Sequence, residues 1–191
     1  ADPPLEALFS GARACLDEAG VTLAGLDGFL YCAGPGSILG LRLAAMALRT
    51  WRALPEAAGK PILAYNRLQL TAAHLRATRA LEAPSHLVAE SRLKRFHCLP
   101  LRDERGHDAA GPVEESDAAA LAALPGGLYH LPQRKGWQAP PEHAIGLDYP
   151  LREAPGLLGG LLRPAGEPEP EQPAAPAYLT WSGERHRGPQ T

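Results

Sequence analysis

The stretch Ala33-Gly34-Pro35-Gly36-Ser37-Ile38-Leu39-Gly40-Leu41-Arg42 constrains this chain more than any other. It joins a short apolar run, residues 28–32, to a long apolar segment with helical spacing. Gly34, Pro35 and Gly36 are turn formers and Ser37 is a strong helix N-cap, so the chain leaves a strand, turns sharply and enters a helix. Such a junction points free backbone N–H groups outward, which suits an anion or a close backbone contact. A well-capped turn with no ligand would read the same way, and on this loop alone both readings stay open.

The flanking periodicity predicts an α/β chain. Leu5, Leu8, Phe9, Ala12, Leu16 and Ala19 recur at helical spacing over 5–19, with Gly20 as the stop. The second helix, about 37–54, is apolar almost all the way round, and only Arg42, Arg49 and Arg52 interrupt it. That pattern predicts burial on every side, in a core or against a partner. A short strand over 62–65 follows, and Asn66 caps a third helix, about 67–81. The continuously apolar 28–32 strand is expected inside a sheet and not at a free edge.

Residues 82–85 mark the best boundary. Beyond them the pattern predicts strands over 86–90 and 93–101 joined around Ser91, and then a surface loop over 102–112. Ser116 and Asp117 are expected to cap a short helix reaching Leu124. A strand at 128–131 and a weaker helix over 151–162 complete this unit. Residues 163–177, rich in Pro and Glu, read as an extended linker. The expected division is therefore 1–83, 84–162 and a linker with tail over 163–191.

Composition excludes several roles. Lys+Arg 19 against Asp+Glu 21 gives a net charge of −2, so no overall basic field draws nucleic acid. Arg92, Lys94, Arg95 and Phe96, then Arg134, Lys135 and Trp137, form only small basic-aromatic spots, and Arg185, His186 and Arg187 could brush an RNA. Cys15, Cys32 and Cys98 have no metal-ligand spacing, and their odd number suits a reducing, cytoplasmic setting. No apolar run approaches a membrane span. The seven histidines include no H-x-x-x-H pair, and no local signature links Ser37, Cys32 or Cys98 to a base. No cofactor or metal is expected.

Leu26-Asp27-Gly28, Gly34-Pro35-Gly36-Ser37, Gly40 and Arg42 together resemble the TsaB (YeaZ) family, the non-catalytic partner in threonylcarbamoyladenosine modification of tRNA. The likeness extends through 86–101 and to Pro176-Ala177-Tyr178-Leu179. Ile38, Leu39 and Asn66 depart from the family's usual Phe, Thr and Ser, and Glu90-Ser91-Arg92 replaces its usual Asp-Ala-Arg. The resemblance implies an actin-like ATPase (ribonuclease H-like) fold of two small subdomains. It also implies strands ahead of Ala1 that this sequence does not contain, so the first subdomain is expected to be incomplete.

The resemblance further implies a role without catalysis: support of a TsaD-like enzyme, with a homodimer possible and tRNA met only through the complex. In such proteins the first two helices make the contact. Small residues let helices approach and bulky ones anchor them, so Leu8, Gly11, Ala14, Gly40, Ala44, Ala47, Leu48 and Trp51 are the candidate interface. The alternative is a stand-alone nucleotide-dependent enzyme of the same fold, such as a small-molecule kinase. Glu90-Ser91-Arg92, without glycine at the turn where that fold would hold phosphate, speaks against it.

Overall fold

The computed structural model describes residues 3–78, 84–91, 94–101, 111–132, 139–147, 156 and 158–171. Helix α1 (Pro4–Ala19) starts on Pro4 at a first-turn position. It ends at Gly20, whose φ of 64° lets its N–H reach back to the Asp17 carbonyl. Strand β1 (Phe29–Gly34) leads through the cis Gly34–Pro35 peptide to α2 (Ile38–Arg52), capped as expected by Ser37, whose Oγ accepts from the Gly40 N–H. Strand β2 (Ile62–Asn66) follows and runs parallel to β1. Asn66 then caps α3 (Arg67–Thr78), its Oδ1 accepting from the N–H of Leu68 at 2.9 Å.

The second half is a five-stranded sheet. Strands β3 (Ser85–Glu90) and β4 (Arg95–Leu101) form the expected antiparallel hairpin. Strand β5 (Glu114–Asp117) lies on the outer side of β4, where the sequence reading placed only a helix cap. Asp117 still caps α4 (Ala118–Ala122), accepting from the Ala120 N–H at 2.8 Å. Strand β6 (Gly127–His130) runs parallel to β3, and β7 (Ile145–Gly146) extends the sheet. The order is β5-β4-β3-β6-β7. Gly126, with φ 85°, permits the entry into β6: a Cβ there would collide with the Pro84 carbonyl.

Helix α3 joins the halves. It packs against β1 and β2 and also against β3 and β4. Its Leu68, Ala72 and Leu75 are sealed in one core cluster with Leu87, Ala89, Leu99, Leu101, Leu131 and Leu147. The first half has its own cluster of Phe29, Tyr31, Ala33, Leu48, Ile62 and Ala64 under Trp51. Each large apolar side chain removed from water in these cores contributes about 1.5–3 kcal/mol.

Four expectations change. Among the described residues β1 pairs only with β2 and lies at the edge of its sheet, with Leu30 45% exposed. A continuous apolar run predicts two-sided burial, whereas the pleat buries Phe29, Tyr31 and Ala33 and turns Leu30 to the other face. Second, α2 is not buried all round: only Ala45, Ala47 and Leu48 are fully covered. Third, residues 158–162 form a turn, with the N–H groups of Leu161 and Leu162 both on the Leu158 carbonyl, not the end of a helix. The remainder of that expected helix lies mostly outside the described residues. Fourth, 163–171 is not a free linker. Strand β8 (Arg163–Pro164) pairs antiparallel with β2, and the chain continues across the first sheet.

Candidate functional site

The turn after β1 places the motif residues at the carboxyl end of the first sheet. Gly34 and Pro35 are buried, Gly36 is half-buried and packs near Leu41, and Ser37, Gly40 and Arg42 are exposed. Glu171 of the same chain lies against this loop. The Glu171 N–H donates to the Ala33 carbonyl at 2.8 Å, and a Cβ on Gly34 would lie 3.7 Å from the Glu171 carbonyl oxygen.

Helix α2 is the second feature. Its inner face carries Ala47 and Leu48, with Ala44 and Trp51 half-covered; Trp51 stacks on Phe29 and meets Phe9 of α1 edge-on at 5.4 Å. Ala47, 2% exposed, and Leu48 therefore belong to the protein's own core and not to an outer surface. Of the other candidate interface residues, Leu8 is half-buried toward the core side of α1, and Gly11, Ala14 and Gly40 are exposed.

What the sequence reading missed lies on the opposite face. Leu39 (61% exposed), half-buried Leu43 and Met46 (58% exposed) form an apolar row at i, i+4 and i+7, and exposed Ile38 stands at its start. The signal was present as that spacing. It was hidden because apolar residues on the inner face fill the remaining positions.

Other candidates for chemistry separate in space. His86 and His130 are buried on one face of the second sheet, with His86 Nδ1 and His130 Nε2 lacking hydrogen-bond partners. Burial lowers the pKa of both; for His130 a backbone hydrogen bond with Leu131 and the nearby Glu90 carboxylate oppose the shift. Cys98 is buried in the same layer. Burial, reinforced by Glu114, pushes its thiol up to about 11, which removes it as a nucleophile near neutral pH. Ser37 is engaged as a cap, Cys15 is exposed and Cys32 half-buried. Phe96 of the first basic-aromatic spot is buried, and Arg95 pairs with Glu115, so no stacking platform forms there. Arg92, the second spot and the Arg185–Arg187 tail lie outside the described residues. Among the described residues no group of three or more His, Cys, Asp and Glu could hold a metal, and no helix is long and apolar enough to cross a membrane.

The family model described as TsaD, tRNA N6-adenosine threonylcarbamoyltransferase, matches residues 5–130. The chain belongs to this family. Curated TsaD relatives named tRNA N6-adenosine threonylcarbamoyltransferase align with parts of it. The protein from Agrobacterium fabrum is 41% identical over 80 residues, 42% of this chain and 21% of the relative. That from Sphingopyxis alaskensis is 48% identical over 54 residues, 28% of this chain and 15% of the relative. The chain thus spans about a fifth or less of the length of these TsaD relatives.

The solved structures resemble it over much more of its length. A Pseudomonas aeruginosa protein described as uncharacterized and similar to the peptidase YeaZ covers 91% of this chain and 83% of its own, with a TM-score of 0.54 and 22% identity. YeaZ from Pseudomonas aeruginosa covers 75% and 69%, with a TM-score of 0.51 and 21% identity. The fold is therefore the actin-like, ribonuclease H-like α/β fold of YeaZ (TsaB) proteins, as the motif residues implied.

Proposed function

We propose that this TsaD-family chain is a TsaB-type subunit, itself without catalysis, that supports a TsaD-like enzyme in forming threonylcarbamoyladenosine in cytoplasmic tRNA. The observation that carries this reading is the apolar row Leu39, Leu43 and Met46 on the outer face of α2. Large apolar side chains at helical spacing, left open beside α1, fit a second helix packed across them. Gly40 lies in the same turn as Leu39 and Leu43 and lets a backbone approach. The buried Cys98 thiol and the capping role of Ser37 are consistent with a binding role. In this reading Gly11, Ala14 and Ala44 border the contact, Arg42 flanks it, and tRNA is met only through the assembled complex.

The test is reconstitution. The chain is mixed with the TsaD-like enzyme of the same organism, association is measured by sedimentation, and threonylcarbamoyl transfer to tRNA is measured with and without it. Association together with dependence of transfer on this chain is expected. A self-associated dimer that leaves transfer unchanged would count against the reading.

A second reading has one observation in its favour: the curated relatives are themselves named transferases. It takes the chain as a nucleotide-dependent enzyme in its own right. Turnover by the chain alone that survives repurification, and is lost on one substitution in it, would favour that reading.

A further inference from the structure

Residues 165–171 lie across the first sheet and α2 as an extended strap. Glu167-Pro168-Glu169-Pro170-Glu171 alternates carboxylate and ring, and each carboxylate meets a partner on the body. Glu167 pairs with Arg52 at 2.5 Å and with Arg49 at 3.5 Å. Glu169 pairs with Arg49 at 3.2 Å. Glu171 accepts from Asn66 Nδ2 at 2.6 Å and pairs with Arg163 at 3.0 Å.

The strap's backbone is read as well. Arg52 Nη1 donates to the Gly166 carbonyl at 2.6 Å, and Arg49 Nη2 to the Pro168 carbonyl at 2.9 Å. The Tyr31 hydroxyl lies 3.1 Å from both the N–H and the carbonyl oxygen of Glu169. The Ala165 N–H donates to the Ile62 carbonyl at 2.8 Å, and Pro168 is fully buried.

This is how a groove recognises a peptide: guanidinium forks for acids, a pocket for proline and main-chain bonds for register. We propose that the groove formed by Arg49, Arg52, Tyr31 and Asn66 is a receptor for an extended acidic segment with proline at alternate positions. Residues 165–171 are its resident ligand, an intramolecular latch. The ion pairs that hold it are half-exposed, individually weak and screened by salt, so the latch opens without unfolding the sheet beneath. It stays in place because tethering keeps its local concentration high. The latch and the Leu39–Met46 row occupy different faces of α2, so the groove stands whether or not the row meets a partner.

Two full-length variants test it, Glu167→Arg/Glu169→Arg and Arg49→Glu/Arg52→Glu. The probe is a labelled synthetic peptide of residues 165–171. Both variants are expected to speed amide exchange at Ala165 and Glu171 about tenfold, with protection of Leu63 and Tyr65 unchanged. Only the glutamate variant, whose groove is intact and vacated, should bind the peptide. Binding should weaken with salt, and wild type and the arginine variant should show none up to about 1 mM. Glu167→Gln/Glu169→Gln repeats the experiment without charge reversal, should the reversed chain misfold. Unchanged exchange at Ala165 and Glu171 in the folded variants, or fast exchange without peptide binding by either glutamate variant, overturns the proposal.

Discussion

Asn66 shows how much one side chain can hold. It is 2% exposed, caps α3 with its oxygen and grips Glu171 with its nitrogen. Asn66→Ala removes both contacts and leaves buried groups unpaired, so a loss of about 1–3 kcal/mol is expected in urea unfolding. Asn66→Asp keeps the cap acceptor but sets a second carboxylate against Glu171. It should release the latch, read as faster exchange of the Glu171 amide, at a smaller cost to α3. The cap was legible in the sequence because it is local. Its second partner, 105 residues away, was not.

The buried histidines give a pH prediction with a definite sign. His86 and His130 have folded pKa values below the ordinary 6.5, chiefly because burial disfavours the imidazolium. Below about 6.5 the unfolded chain therefore binds more protons than the folded one, and stability falls as pH falls. The stabilising effect is fully present above 6.5 and is lost on acidification. Thermal melts between pH 7.5 and 5 (about the range over which histidine titrates) should show a falling midpoint. His130→Phe should flatten part of that slope. An unchanged slope in that variant would assign the acid sensitivity to other groups.

At the scale of elements, α2 separates the two faces that its composition blurred. Ala47→Glu puts an unpaired charge into the core beside Leu48 and should cost about 3–5 kcal/mol, enough to unfold a marginal domain. Leu39→Glu with Met46→Glu alters only exposed positions and should leave the melt within about 1 kcal/mol of wild type. If the row is the partner contact, this exposed pair should abolish association in sedimentation while the monomer stays folded. Wild-type affinity in the folded double variant would remove the row from any interface. The strap makes a related point about elements: a Pro/Glu-rich stretch reads as linker until arginines on a distant helix meet its carboxylates.

At the scale of the whole molecule, α3 is the common wall of both sheets. Leu68, fully buried in the first turn of α3, belongs to the cluster of the second sheet while its helix also packs on the first. Leu68→Ala should cost about 2–5 kcal/mol and shift a single transition. The fluorescence of Trp51 in the first half and amide signals of β3 and β4 should move together. Two separated transitions would show that the halves fold independently.

The sequence by itself determined the local elements: α1 with its glycine stop, the strand–turn–helix at Gly34 to Ser37, the caps at Asn66 and Asp117, and the β3–β4 hairpin. Each is written within a few residues by periodicity and capping chemistry. The same short-range motif carried the family and its fold. Only the tertiary structure decided that β1 has β2 as its single neighbour among the described residues, that Ala47 and Leu48 face inward while Leu39 and Met46 face out, and that residues 163–171 close over the first sheet. These depend on which surfaces meet in space, tens of residues apart for β1 and α2 and more than a hundred for the strap. Hydrophobic patterning states that a face is apolar, but the choice between core and open surface is made by what packs against it.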